Sequence, residues 1–179
     1  RRSEPGKICK YSENDQFYFG SLSGNKEKQV RLLSLLTAAG INAFNPENIT
    51  DRIWKKFFRI STAATLTSYY NLPIGKVLDL HTDDLLALAD EFIAVATAMG
   101  ISFPPNSRDE IIEGQRKMPY NSTTSMHSDF LKGAQTELES ITGYIVQCAK
   151  DFNIEVPCYL RMYNELKTNY TNIYNIPNN

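Results

Sequence analysis

The chain has 179 residues, 42% of them hydrophobic and 22% charged, with a formal net charge of -1. That length suffices for one domain with a real core, or for one domain and a piece of another. The near-neutral charge removes the electrostatic basis for binding nucleic acid or an anionic membrane surface, both of which need clustered Lys and Arg.

Three cysteines, Cys9, Cys148 and Cys158, match no zinc or redox spacing, so they read as reduced thiols in a cytoplasmic protein. The N-x-S/T matches at Asn48, Asn121 and Asn169 then carry no meaning. No apolar run approaches the ~20 residues of a membrane helix. The opening "RRSEPG" is too polar for a signal peptide, and a start without Met in a charged loop reads as a fragment.

In chain order, "KICKY" and "QFYFGSL" are β-prone runs separated by the turn-prone "SENDQ", which predicts a hairpin over residues 7–22. The following "KEKQVRLLSLLTAAG" sets Val30, Leu33 and Leu36 with Leu32 and Leu35 on one helical side, and Gly40 supplies the stop. "INAF" returns as a short strand. Three short strands cannot build the long parallel sheet of a nucleotide-binding domain, so residues 1–47 read as the end of something larger.

From Asn48 onward the pattern is helical. "PENITDRIWKKFFRISTAATLTSYY" forms a long helix that stops before Pro73. "TDDLLALADEFIAVATAMG" opens on Thr82 and two acids and closes at Gly100. "NSRDEIIEGQRKM" lies between Pro105 and Pro119, "TELESITGYIVQCAKDFN" carries an apolar face, and "PCYLRMYNELKTNY" starts at Pro157, a good first helical position. The expectation is five helices and no strand in a domain over 48–170, with a frayed tail over 171–179.

The sequence has no G-x-G-x-x-G, no G-x-x-x-x-G-K-[ST], no H-E-x-x-H and no G-x-S-x-G, so dinucleotide, triphosphate, zinc and serine-hydrolase chemistry lack their usual scaffolds. Two histidines are too few for most metal sites; His81 reads as a helix start and His127 as part of a polar loop.

Three residues hold more interest. Arg52, Lys55 and Arg59 recur at steps of three and four and form a solvated stripe, whereas Lys56 aligns with Ile60, Ala63 and Ala64. Lys56 either snorkels from an apolar face to water or is a partly desolvated ammonium, which is a competent proton donor. Glu137 begins a helix, where the dipole favours a carboxylate. Ser125, in "STTSMHSD", either caps the next helix or offers its hydroxyl and nearby backbone N–H groups to a substrate carboxylate.

The order Trp54-Lys55-Lys56, then Ser125-Met126-His127-Ser128-Asp129, then Thr136-Glu137-Leu138-Glu139 with Gly143, with Glu137 twelve residues past Ser125, resembles the C-terminal half of ketopantoate reductases (2-dehydropantoate 2-reductases). "PGKICKYSENDQFYFGSL" and "AAGINAF" resemble the last part of that family's N-terminal domain. The resemblance implies a mainly α fold: a helical domain like the C-terminal domain of 6-phosphogluconate dehydrogenase, preceded by an α/β remnant of a Rossmann domain. It implies an NADPH-dependent reduction of a small 2-oxo acid in pantothenate biosynthesis, Lys56 giving the proton to the ketone oxygen, Glu137 positioning substrate and Lys56, and Ser125 binding the substrate carboxylate. Two positions depart from the family pattern, in which Asn residues follow the catalytic Lys four and eight places later; here they are Ile60 and Ala64. Ketopantoate itself, an acid with a less polar side chain, and a member that has lost catalysis all remain open, as does a helical interaction module without catalytic role. Without the phosphate-binding loop the fragment alone is expected to be inactive and to bind no NADPH, and its bare N-terminal hairpin is expected to pair two chains into a homodimer.

Overall fold

A computed structural model describes residues 2–8, 15–22 and 24–174. It divides into two compact units, Arg1–Ile53 and Trp54–Asn179. The division falls inside one long helix.

In the first unit, β1 (Arg2–Glu4) pairs antiparallel with β2 (Lys7–Ile8). The turn between them is Pro5-Gly6, with Gly6 at φ 76°, the Pro-then-Gly chemistry of a type II turn. β3 (Phe17–Tyr18) pairs parallel with β4 (Ala43–Phe44) across the intervening helix α1 (Lys26–Ala38). This corrects the 7–22 hairpin: β2 turns back on residues 2–4, and β3 finds its partner beyond α1, while residues 9–14 of the expected hairpin lie outside the described residues.

Helix α1 starts at Asn25, whose Oδ1 accepts the Lys28 N–H at 3.0 Å. It ends as expected at Gly40, φ 75°, where the Gly40 N–H reaches Thr37 O and the Ile41 N–H reaches Leu36 O, each at 3.0 Å. Its apolar side is not covered within the unit: Leu33 and Leu36 are half-buried, while Val30 and Leu35 are 62% and 61% exposed. Two pairs of very short strands offer too little area to cover it.

The second unit is helical throughout. Helix α2 (Ile49–Tyr70) runs into it and is followed by α3 (Ile74–Leu80), α4 (Thr82–Ala98), α5 (Ser107–Arg116), α6 (Ser125–Leu131), a π-helical turn (Glu139–Gly143) continuing into α7 (Tyr144–Asp151), and α8 (Pro157–Tyr174). All five helices predicted after residue 48 are present, as α2, α4, α5, the π turn with α7, and α8, which begins at Pro157. The count of five does not hold, because α3 and α6 are seven-residue helices.

Every residue of α2 from Ser61 to Ser68 is buried. This is possible because the stretch is Ser, Thr and Ala apart from Leu66, so neighbouring helices approach its backbone closely. Three of its hydroxyls pair with hydroxyls of other elements: Ser61 Oγ with Tyr159 Oη at 2.9 Å, Thr65 Oγ1 with Thr142 Oγ1 at 2.8 Å, and Thr67 Oγ1 with Thr124 Oγ1 at 2.9 Å, while the buried Ser68 hydroxyl has no partner among the described residues. Each pair ties α2 to a different element, so hydroxyl matching fixes the register of the bundle as well as satisfying buried polar groups. One side of the core is aromatic, with Phe58 stacked on Phe92 at 4.9 Å between centroids and Trp54, Phe57 and Phe103 packed around them. The Glu91 carboxylate accepts the backbone N–H groups of Cys158 at 2.7 Å and Tyr159 at 2.9 Å, capping α8 and fastening it to α4.

Candidate active site

The first turn of α6 decides what Ser125 does. Thr124, in extended conformation at φ -89° and ψ 162°, is the N-cap; its Oγ1 accepts the His127 N–H at 3.3 Å and also pairs with Thr67 of α2. Capping therefore falls to Thr124, and the Ser125 hydroxyl donates instead to Glu137 Oε2 at 3.3 Å. Two residues twelve positions apart meet at the surface, both exposed. The helix that Ser125 begins is short, and its N–H at His127 is already taken, so the hydroxyl rather than the backbone is what Ser125 offers a ligand.

Below this pair lies an apolar anchor. Met126, Leu138, Ile141 and Leu166 are buried against Ala64 of α2, which seats both α6 and the segment after Glu137 on the same helix. The following π turn is an insertion-like irregularity of the kind found near functional sites. Gly143 closes it, and a larger residue would displace its neighbours: an added Cβ would stand 2.9 Å from Tyr163 Cε2 and 3.0 Å from Glu139 Oε2. Tyr163 in turn donates to Glu139 Oε2 at 2.7 Å, and Lys167 Nζ lies 3.0 Å from Glu139 Oε1. The Tyr163 hydrogen bond, against the opposing effect of burial and with help from Lys167, holds the Glu139 carboxyl below its usual range.

His127 is not in a loop. It lies in α6, 5% exposed, with Nε2 2.8 Å from Asn71 Oδ1 and Nδ1 bonded to Thr123 Oγ1. Burial lowers its pKa, so the ring is a neutral structural link between α6 and the end of α2, where Asn71 adopts φ 53°. His81 is the residue before α4, as expected of a helix start, and stacks on Tyr70.

Lys56 is exposed and makes no hydrogen bond or ion pair among the described residues. The expectation of a partly desolvated ammonium is not met, because α2 is enclosed only from Ser61 onward and Lys56 stands more than a turn before that point. Of its companions, Ala63 and Ala64 are buried and Ile60 is 40% exposed. Lys55 and Arg59 instead line a cavity of about 180 Å³ with Phe58, Phe103, Ser107, Glu110 and Ile111. The structure thus brings Ser125 and Glu137 together and leaves Lys56 as a solvated cation on the α2 face that carries Ala64 further along. Thr124 and Gly143, which set the geometry of Ser125 and of the π turn after Glu137, were not singled out as site-forming by sequence; the T-x-x-x-x-x-x-G spacing from Thr136 was the only trace of Gly143.

A nicotinamide dinucleotide needs a glycine turn that lets its pyrophosphate approach a helix N-terminus. The turn from β3 into α1 ends in Asn25, whose own side chain occupies the Lys28 N–H, and it lacks the glycine spacing. The described residues do not fit the group. Among them no cluster of three or more His, Cys, Asp or Glu is placed to hold a metal ion, and no helix is long and apolar enough to cross a membrane.

Residues 48–170 match the family model described as ketopantoate reductase PanE/ApbA C terminal. The chain therefore belongs to the ketopantoate reductase family of oxidoreductases, with residues 48–170 matching its C-terminal domain. It is 31% identical over 176 residues to the 2-dehydropantoate 2-reductase of Pyrococcus abyssi, covering 91% of this chain and 55% of that protein. The crystal structure of 2-dehydropantoate 2-reductase from Porphyromonas gingivalis W83 is 38% identical with a TM-score of 0.70, covering 85% of this chain and 46% of the other. A D-mandelate dehydrogenase, solved with NADH and anilino(oxo)acetate, shares the fold at 19% identity, a TM-score of 0.78 and coverage of 89% of this chain and 68% of the other. The chain spans about half the length of the curated relatives it matches.

Proposed function

We propose that the chain is the substrate-side half of an NADPH-dependent 2-oxo acid reductase of the ketopantoate reductase type, with residues 1–47 the end of its nucleotide-binding domain, 48–170 the substrate domain and 171–179 a tail. The observation that carries the reading is the 3.3 Å contact between Ser125 and Glu137, which unites two of the three residues that the family resemblance marks. NADPH supplies hydride in this reading and belongs to residues other than those described here. Buried free thiols at Cys148 and Cys158 accord with a cytoplasmic location.

The chemistry assigned to this chain is proton donation and charge placement. Reduction of a 2-oxo acid builds negative charge on the ketone oxygen, and a cation with a transferable proton lowers that barrier most directly. Lys56 donates its Nζ proton to that oxygen. An exposed lysine suits the role once substrate and the nucleotide-binding half displace water from it, since a low-dielectric surrounding then favours loss of its charge. Ser125 turns its hydroxyl from Glu137 to the substrate carboxylate. Glu137, released from that contact, holds the Lys56 ammonium in line with the ketone.

The test uses the reductase formed by this chain with its nucleotide-binding half. Lys56→Ala lowers kcat by about 10²–10⁴-fold, the usual worth of a positioned proton donor, whereas Lys55→Ala stays near the parent. Equal losses from the two substitutions overturn the assignment. The chain alone, titrated with NADPH, gives no measurable affinity; a micromolar dissociation constant would place the cofactor site in these residues.

A further inference from the structure

Resting on the reading of Lys56 as proton donor, we infer that the acid reduced at this site has a branched aliphatic side chain without a hydroxyl, and that Ile60 selects it. Ile60 follows Lys56 by four residues, which puts it one turn along the same strip of α2 at a rise of about 6 Å. Its side chain is 40% exposed, although the next residues of the strip, Ala63 and Ala64, are 3% and 1% exposed. An acid that presents its ketone to Lys56 and its carboxylate to Ser125 therefore lays its remaining carbons along a strip with Ile60 at its open end. The groups beneath the far end, Met126 and Leu138, are apolar and buried with Ala64.

Beside Lys56 and Ile60 the same strip offers nothing to a substrate hydroxyl. Of the uncharged polar residues farther along it, Thr67 already donates its hydroxyl to Ala63 O at 2.8 Å and meets Thr124 Oγ1 at 2.9 Å, and Ser68 is buried twelve residues past Lys56, about 18 Å along the helix. A hydroxyl carried by the substrate would lose water on binding and gain no partner from α2, which penalises it. The penalty has a ceiling. An apolar pocket rejects an isostere that merely adds a hydroxyl by only ~10²-fold, whereas a site built to bond that hydroxyl rejects the deoxy analogue far more strongly. The sign and size of the preference are therefore both informative.

Ketopantoate and 3,3-dimethyl-2-oxobutanoate differ only in the terminal hydroxyl of the former, and they make a clean pair. With the reductase containing this chain and its nucleotide-binding half, kcat/KM is expected to favour 3,3-dimethyl-2-oxobutanoate by roughly 10- to 100-fold. Ile60→Asn should shift the ratio toward ketopantoate, and Ile60→Val should leave its direction unchanged. A parent enzyme that prefers ketopantoate, or an Ile60→Asn variant with an unaltered ratio, overturns the inference while the reductase reading stands. The comparison in the parent needs no variant and so survives any folding defect. No turnover of either acid, in a folded protein that binds NADPH, overturns the reductase reading and this inference with it.

Discussion

Helix α2 is continuous from Ile49 to Tyr70, yet its two halves live under opposite rules. Between Ile49 and Ile60 only Phe58 is buried, and the half is rich in large charged and aromatic side chains. Between Ser61 and Ser68 every residue is buried, and small side chains and hydroxyls take over. Full enclosure requires close backbone approach and partners for most polar atoms, and it leaves no place for an unpaired charge. An unpaired cation on this helix therefore sits where enclosure has ended, which is the situation of Lys56, the proposed proton donor.

The contrast breaks if the two halves respond alike to truncation. Leu66→Ala, in the enclosed half, should destabilise by about 2–5 kcal/mol through loss of burial and an unfilled cavity, whereas Ile60→Ala should change stability by no more than about 0.5 kcal/mol. Urea denaturation with both variants measures the difference; comparable midpoints would show that α2 is not enclosed from Ser61. Next in size is the hydroxyl matching. Thr65→Val leaves the buried Thr142 hydroxyl without its partner and should cost about 1–3 kcal/mol, and adding Thr142→Val should restore most of that loss. If the second change adds a further loss, the pair is not what holds α2 against the π turn.

The smallest effect concerns pH. The folded-state pKa of His127 is depressed by burial, so the unfolded chain binds a proton more readily than the folded one. Stability from this residue is complete above the unfolded value, about 6.5, and falls as pH drops below it toward the folded value. Urea midpoints at pH 7.5 and 5 should therefore differ, and His127→Gln should shrink the part of the difference due to this group. An unchanged pH dependence in the variant would show that the ring is not buried in its neutral form.

What sequence reveals here follows the length over which a signal is summed. Helices α2, α4 and α8 were legible because their periodicity runs over many turns and ends in Pro73, Gly100 or begins at Pro157. Helices α3 and α6 have seven residues each, too few turns for periodicity to register. The β1–β2 turn was written in Pro5-Gly6, a local signal that the β-prone runs after it outweighed, whereas the β3–β4 pairing spans α1 and has no local trace. Within the site, order and spacing pointed to Ser125 and Glu137. Which of the adjacent Thr124 and Ser125 caps α6 was not readable, since both residue types cap well and the choice rests on Thr67 across the interface. Nor could the exposure of Lys56 be read, because it depends on where the cover from other helices stops.

Positions 60 and 64 stand on one strip of α2, but they are not equally free to change over generations. Ala64 is buried in one cluster with Met126 and Leu138, and a larger residue there must displace its neighbours and disturb the seat of α6, which carries Ser125. Ile60 meets solvent, and its replacement leaves the packing of the bundle almost untouched. On the proposed reading of Ile60, heritable drift in substrate preference has an inexpensive route through a single codon at 60, while change at 64 must wait for compensating substitutions in α6. A lineage built on this helix can vary position 60 one mutation at a time without first losing its fold.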